Sequence, residues 1–157
     1  MKHAREVIAA GQWDGVSAGD TIALDAHDRF RRRVVLTSAG GTKFLLDLPQ
    51  AVALHDGDGL KLDDGTMVRI VGRPEPLIEI AAADAQVLAR LAWHIGNRHV
   101  DVQIVGERLR IRRDHVIEDM LRGLGAQLTA IDAPFDPERG AYKHHGHDGH
   151  EHDHGHD

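Results

Sequence analysis

The chain contains no cysteine. That removes disulfides, thiolate zinc sites and iron–sulfur clusters together, so any metal must be held by His, Asp, Glu, backbone or water. No apolar run approaches the length of a membrane span, and the opening Met1-Lys-His-Ala-Arg-Glu lacks the apolar core of a secretory signal. The expectation is a cytoplasmic protein without membrane association. Excess positive charge is missing as well: the formal net charge is −6, which argues against general nucleic-acid binding. Arg29 with Arg31 to Arg33, and then Arg108, Arg110, Arg112 and Arg113, form local basic patches. Such patches are ordinarily solvated strand faces.

What the chain does have is histidine. Seven of its thirteen histidines fall in the last fourteen residues: His144, His145, His147, His150, His152, His154 and His156, separated only by Gly, Asp and Glu. A segment without aliphatic side chains buries nothing that would offset the entropy of ordering it, so a disordered tail is expected over residues 143–157. An unperturbed imidazole titrates near pH ~6.5 and is largely neutral above it, and neutral imidazole is a good ligand for Ni2+, Cu2+, Zn2+ and Co2+. Asp148, Glu151, Asp153 and Asp157 add carboxylates. A purification tag is normally an unbroken histidine run, whereas these are interspersed and grow out of a chain that reads as native through Tyr142. The tail therefore reads as a divalent-metal binder, without telling whether the metal is stored, delivered or used.

At 157 residues, 41% of them apolar, the chain suits one soluble globular domain or two small ones. Residues 16 to 72 carry strand signals and almost no helical period. Thr21-Ile-Ala-Leu-Asp, Arg32-Arg-Val-Val-Leu, Lys43-Phe-Leu-Leu-Asp-Leu, Leu60-Lys-Leu and Met67-Val-Arg-Ile-Val are separated by turn clusters such as His55-Asp-Gly-Asp-Gly. They predict a small all-β domain, residues 1–73, ending at Gly72-Arg-Pro-Glu-Pro, where two close prolines disfavour both a helix and a central strand.

From Leu77 the elements alternate in kind. Leu77-Ile-Glu-Ile-Ala reads as a strand. Asp84 caps a helix with apolar face Val87, Leu88, Leu91 and Ile95, stopped by Gly96-Asn97. Val100, Val102 and Ile104 alternate ahead of a Gly106-Glu107 turn, and Leu109 and Ile111 return, making a hairpin with one buried face. Asp114 caps a second helix carrying Val116, Ile117, Met120, Leu121 and Leu124, closed at Gly125, and Gln127-Leu-Thr-Ala-Ile is a last strand. The order βαββαβ predicts a ferredoxin-like domain over residues 74–142, so the class is α+β: a small all-β domain, a ferredoxin-like domain and a His-rich tail.

Three histidines lie in that second domain. His94, beside Trp93, reads as a locally packed side chain. His99 falls just past the first helix, where its ring is able to face solvent or a partner. His115 follows the cap of the second helix, at the positive end of its dipole. One or two histidines make a poor closed site, since borderline metals take four to six ligands. A two-fold dimer presents each of them twice, and the tails can complete the shell.

Trp93-His-Ile-Gly-Asn-Arg-His-Val, Leu109-Arg-Ile-Arg-Arg-Asp-His-Val-Ile-Glu-Asp-Met-Leu-Arg, Pro134-Phe-Asp-Pro-Glu-Arg-Gly-Ala-Tyr and the His-rich end, taken in this order, closely resemble the UreE family of urease accessory proteins, which act as nickel chaperones. The resemblance implies a homodimer joined head to head through its ferredoxin-like domains, and an N-terminal β domain of partner- or peptide-binding type. It implies that Ni2+ is bound and handed, through the accessory GTPase complex, to apo-urease. It carries the family's interfacial metal ligand onto His99. Some relatives add a pair of histidines one residue apart; here its second member is His115, while Arg113 stands at the first, and a guanidinium is not a metal ligand. Two other readings compete with a chaperone. A passive Ni/Zn/Cu/Co store fits the tail alone. A hydrolytic metalloenzyme would need a preorganised cleft and a general base, yet the chain has no His-Glu-x-x-His and no nucleophile elbow, and Glu118-Asp119 reads as a pair facing water.

Overall fold

A computed structural model describes residues 1–140 of the chain; His144, His145, His147, His150, His152, His154 and His156 lie outside the described residues. The first domain is a six-stranded sheet built from β1 (Lys2–Ile8), β2 (Asp20–Leu24), β3 (Phe30–Thr37), β4 (Lys43–Ala53), β5 (Gly59–Leu62) and β6 (Met67–Gly72). Its order is β2-β6-β5-β1-β4-β3, with β1/β4 and β2/β6 parallel and the other pairs antiparallel. Period-two alternation explains the core: Phe44, Leu46 and Leu48 of β4 turn inward together, against Ile22, Leu60, Leu62, Val68 and Ile70. Strand β1 has no such alternation in its sequence, Lys-His-Ala-Arg-Glu-Val-Ile, and is not among the expected strands. It forms because it is paired on both sides, to β4 and to β5, with Ala4 fully buried in the core.

The second domain has the expected order. Strands β7 (Glu75–Ala81), β8 (Gln103–Val105), β9 (Arg108–Arg112) and β10 (Gln127–Ala133) form an antiparallel sheet β10-β7-β9-β8, with helices α1 (Ala85–Asn97) and α2 (His115–Gly123) between them in the chain. In order of appearance this is 4-1-3-2, the ferredoxin-like arrangement. Ile78, Ile80, Leu109 and Ile111 from the sheet meet Leu91 and Ile95 of α1 and Ile117 and Leu121 of α2. Leu77, pointing to the opposite side of β7, packs with Ala26 and Phe135 in a separate small cluster that touches the first domain.

Four details depart from expectation, each for a local reason. Central strand β7 begins at Glu75 and includes Pro76; β9 pairs only from Leu77 onward, so the proline sits where the strand has a single neighbour and is locally an edge. Ile104 lies opposite Leu109 on the hairpin but is 56% exposed, because β8 is the sheet's outer strand; Val100 and Val102 do pack on the core. Val116 is 75% exposed, since the buried stripe of α2 runs through Ile117 and Leu121 with Met120 and Leu124 beside it. Arg29 is not on a solvated face. It is 2% exposed, and its guanidinium donates to the carbonyls of Leu24 (3.3 Å), Leu54 (2.9 Å) and Phe135 (2.6 Å) and to the Asp136 carboxylate. A buried guanidinium persists only when its donors are satisfied, and here the satisfying groups come from both domains.

Candidate metal centre

Helix α1 starts at Asp84, whose Oδ1 accepts the Val87 N–H at 2.8 Å. Its buried residues Leu91 and Ile95 lie one turn apart and fix the helix on the sheet. Arg98 is the C-cap. The next N–H, of His99, donates to the carbonyl of Gly96 at 3.1 Å, and that of Val100 reaches back to Ile95 at 3.5 Å. Two such reversed bonds define a Schellman motif, which requires a left-handed residue directly after the cap. That residue is His99, with φ of +57°, the only residue other than glycine with positive φ among the described residues.

The second helix supplies an internal comparison. Its C-cap is Leu124; the Gly125 N–H donates to Arg122 (3.0 Å) and the Ala126 N–H to Leu121 (3.0 Å), the same motif, with Gly125 at φ +92° in the left-handed position. Both helices therefore stop the same way, but one uses glycine and the other an exposed histidine. Left-handed backbone disfavours any residue with a Cβ, even though histidine tolerates it better than most. A local rule broken at a candidate ligand is the pattern expected of a functional position. Gly96 and Asn97, expected to stop the helix, remain inside it; the turn falls two residues later, at His99.

His115 is the first residue of α2, just after Asp114, whose Oδ1 accepts the N–H groups of Val116 (2.9 Å) and Ile117 (3.1 Å). Its ring is exposed at a shallow cleft of about 160 Å³ shared with Arg113, Asp114 and Glu118. Glu118 does not face water: it is 2% exposed and receives Arg113 Nη2 at 3.2 Å and the Asp114 N–H at 2.8 Å, with Arg122 at 3.9 Å. Burial works to raise its carboxyl, but the hydrogen bonds from Arg113 and from the Asp114 N–H, and the charges of Arg113 and Arg122, outweigh it and hold the group below the ordinary glutamate range. A carboxylate saturated in this way is a poor base and a poor ligand. The same contact gives Arg113 a structural duty.

His94 packs edge-on against Trp93 with ring centroids 5.0 Å apart, as a locally packed side chain should. The arginines of β9 are matched by carboxylates. Arg108 and Arg110 hold Glu79, whose carboxyl their hydrogen bonds keep below its ordinary range against the opposing effect of burial, and Arg112 bridges Glu75 (3.2 Å) and Asp101 (3.3 Å). Among the described residues, no three His, Asp or Glu side chains converge in a way that could hold a metal ion. Among the described residues, then, His99 and His115 are exposed side chains that belong to no such cluster.

Family models match almost the whole chain: the N-terminal domain of the UreE urease accessory protein over residues 4–72, and its C-terminal domain over residues 75–157. The chain belongs to the UreE family. It is 58% identical to the urease accessory protein UreE of Rhodopseudomonas palustris (strain HaA2), over 80% of this chain and 58% of that protein. It is 55% identical to UreE of Chelativorans sp. (strain BNC1), over 88% of each chain. A third relative, UreE of Beijerinckia indica subsp. indica, is 48% identical over 97% of this chain and 87% of its own length. The chain thus spans little more than half of the Rhodopseudomonas protein but most of the other two.

Sequence reasoning did not find the left-handed backbone of His99, the burial of Glu118 or the burial of Arg29. The first was within reach: a histidine three residues after Gly96 ends α1 where glycine ends α2. The other two depend on distant partners or on packing.

Proposed function

We propose that this UreE family member binds Ni2+ and donates it during urease metallocentre assembly, as an accessory chaperone and not as an enzyme. The observation that carries the reading is His99, an exposed imidazole held in a backbone conformation that glycine would occupy more comfortably, in a chain whose relatives are urease accessory proteins. Nickel is cargo, so its ligands must be accessible and exchangeable, and an exposed histidine at a helix end suits that better than a closed cage. Two protomers joined through the second domain present His99 twice, and the large apolar side chains exposed there, Trp93, Ile104 and Val116, favour such a homodimer. His115 is a secondary ligand.

In this reading the tail histidines, His144 to His156, collect Ni2+ loosely and pass it by successive imidazole exchange to the paired His99. From there it goes to the accessory GTPase complex and to apo-urease in the cytoplasm; among the described residues no helix is long and apolar enough to cross a membrane. The first domain, residues 1–73, engages protein partners. An imidazole site also takes Cu2+, Zn2+ and Co2+, and by the Irving–Williams order Cu2+ more tightly, so nickel specificity must come from geometry, partner or supply.

Calorimetric titration tests this directly. Truncation after Tyr142 should lower the number of Ni2+ ions bound and leave about one per dimer, and His99→Ala in the truncated protein should remove that ion. Activation of apo-urease in vitro separates a chaperone from a passive store: a store holds nickel but does not speed activation. Full-affinity binding by truncated His99→Ala protein refutes the assignment of His99.

A further inference from the structure

After β10 the chain turns back across the joint between the two domains. Phe135 is fully buried with Ala26 and Leu77. The Asp136 N–H donates to Gln103 Oε1 at 3.2 Å, and the Glu138 N–H to the carbonyl of Val102 at 2.8 Å. These bonds bring Arg139 to the first domain, where its guanidinium lies over the Phe30 ring, 4.5 Å from the ring centre. Stacking fixes the guanidinium plane and leaves the N–H donors at its edge to find acceptors elsewhere. Among the described residues, the Arg139 Nε–H is buried and has no acceptor. The other arginines at the joint differ in this respect: Arg29 has Asp136, Arg31 has Asp28, and Arg112 has Glu75 and Asp101. A buried, unpaired N–H on a charged group is costly, and its presence in a folded protein calls for a partner.

Arg139 lines a cavity of about 300 Å³ between the domains, together with His27, Arg31, Asp101 and Arg112. Arg31 uses Nη2 on Asp28 (3.0 Å), and Arg112 uses Nε on Glu75 (3.2 Å) and Nη1 on Asp101 (3.3 Å). A guanidinium carries five N–H donors, so both have others to share. We propose that this cavity is an oxyanion site for a phosphoryl group, as inorganic phosphate or a phosphomonoester, with Arg139 as its principal ligand and Arg31 and Arg112 in support. The three guanidiniums come from β3, from β9 and from the segment after β10. A tetrahedral phosphoryl group offers oxygens to donors arriving from several directions, whereas a carboxylate has two oxygens in one plane, and the guanidinium fork matches phosphate with paired bonds. The volume equals roughly ten waters at ~30 Å³ each, which leaves room for the group and part of its hydration. Asp101 lines the same cavity and opposes an anion, but its charge is met by Arg112. Because the site draws on both domains, a bound phosphoryl group fastens them together. It is independent of the metal ligand at His99.

The test is a titration of metal-free, 15N-labelled protein with inorganic phosphate, followed by NMR in a buffer free of phosphate. Saturable shifts should appear at the Arg139 Nε–H and at the amides of Ala26 to Arg31, Asp101 and Glu138; sodium chloride at equal ionic strength should not produce them. Arg139→Gln should weaken phosphate at least ~10-fold, and Arg139→Lys, which keeps the charge but not the fork, should recover only part of the loss. Asp101→Asn, which removes the carboxylate that lines the cavity, should tighten binding, a change of opposite sign that a merely structural role for these residues would not produce. The amide signals of Ile78, Ile80 and Ile111 in the core of the second domain report that each variant is folded. O-phosphoserine tells the two sources apart: competition for the same signals supports an ester as the ligand, and its failure to compete supports the free ion. No saturable shift with phosphate, equal shifts with chloride, or unchanged affinity in Arg139→Gln overturns the site. Acetate binding as tightly as phosphate overturns its assignment to a phosphoryl group.

Discussion

Replacing His99 with glycine should make the metal-free protein more stable while removing the nickel ligand proposed above. The left-handed backbone at φ +57° costs a residue with a Cβ roughly 1–2 kcal/mol, with histidine near the lower end. Glycine escapes that strain but adds conformational entropy to the unfolded chain, which returns roughly 0.5 kcal/mol. The imidazole is exposed, so little packing is lost, and both reversed hydrogen bonds of the Schellman motif are main-chain and survive. The net gain is about 0.5–1 kcal/mol, or a midpoint higher by about 1–4 °C for a chain of this size. Thermal denaturation followed by circular dichroism, in the presence of chelator, measures it. His99→Ala keeps the Cβ and should gain nothing; His99→Val, branched at Cβ, should be the least stable of the three. The reasoning fails if His99→Gly melts below the parent, because that outcome would mean the ring makes stabilising contacts in the absence of metal. The same substitution at Gly125, run in reverse as Gly125→His, should destabilise by a similar amount without creating a nickel site.

Arg29→Met should be far more damaging than any change among Arg31 to Arg33. It strands the Asp136 carboxylate and the Phe135 and Leu54 carbonyls, and loss of one partner of a buried ion pair costs about 3–5 kcal/mol, readable as a lower urea midpoint. Glu118→Gln should cost about 1–3 kcal/mol at neutral pH. Because the folded carboxyl is held below its unfolded value, its stabilisation is fully present above the unfolded pKa of ~4.3. It disappears as pH falls through the lower folded value, so the urea midpoints of parent and variant should converge in acid; a gap independent of pH refutes the ionic account. Asp84→Ala should cost about 1 kcal/mol through loss of the helix cap, with nickel affinity unchanged in calorimetry.

The parts legible in the sequence are those whose causes lie within a few residues. Asp84 and Asp114 announced their helices because a cap bonds two or three residues ahead, and Phe44-x-Leu46-x-Leu48 announced a strand because a pleat repeats every two. The ferredoxin-like order followed from counting such elements. By contrast Arg29 and Asp136 are 107 positions apart, and no local pattern distinguishes a buried arginine from the exposed ones beside it. Glu118 looked like one of a pair of solvent-facing carboxylates, and only the return of Arg113 and the Asp114 N–H onto it shows otherwise. Strand β1 stayed hidden for a related reason: its place in the sheet comes from its two neighbours, not from its own periodicity.

His99 stands between these cases, and for that reason it is the most informative residue of the site. Its chemistry is legible in Gly96-Asn-Arg-His, and its conformation follows from the same reversed bonds that end both helices. Only the two together show that the residue best suited to the backbone is absent from it. Had stability alone chosen the residue, α1 would end as α2 does, with glycine. An imidazole kept there against a local preference supports the proposal that His99 is a ligand. For a ligand shared across a two-fold axis, the preference would be recovered only when two protomers and a metal ion meet. If His99 is that ligand, the stability that His99→Gly adds to the metal-free protein reverses in sign once nickel saturates the proposed dimer.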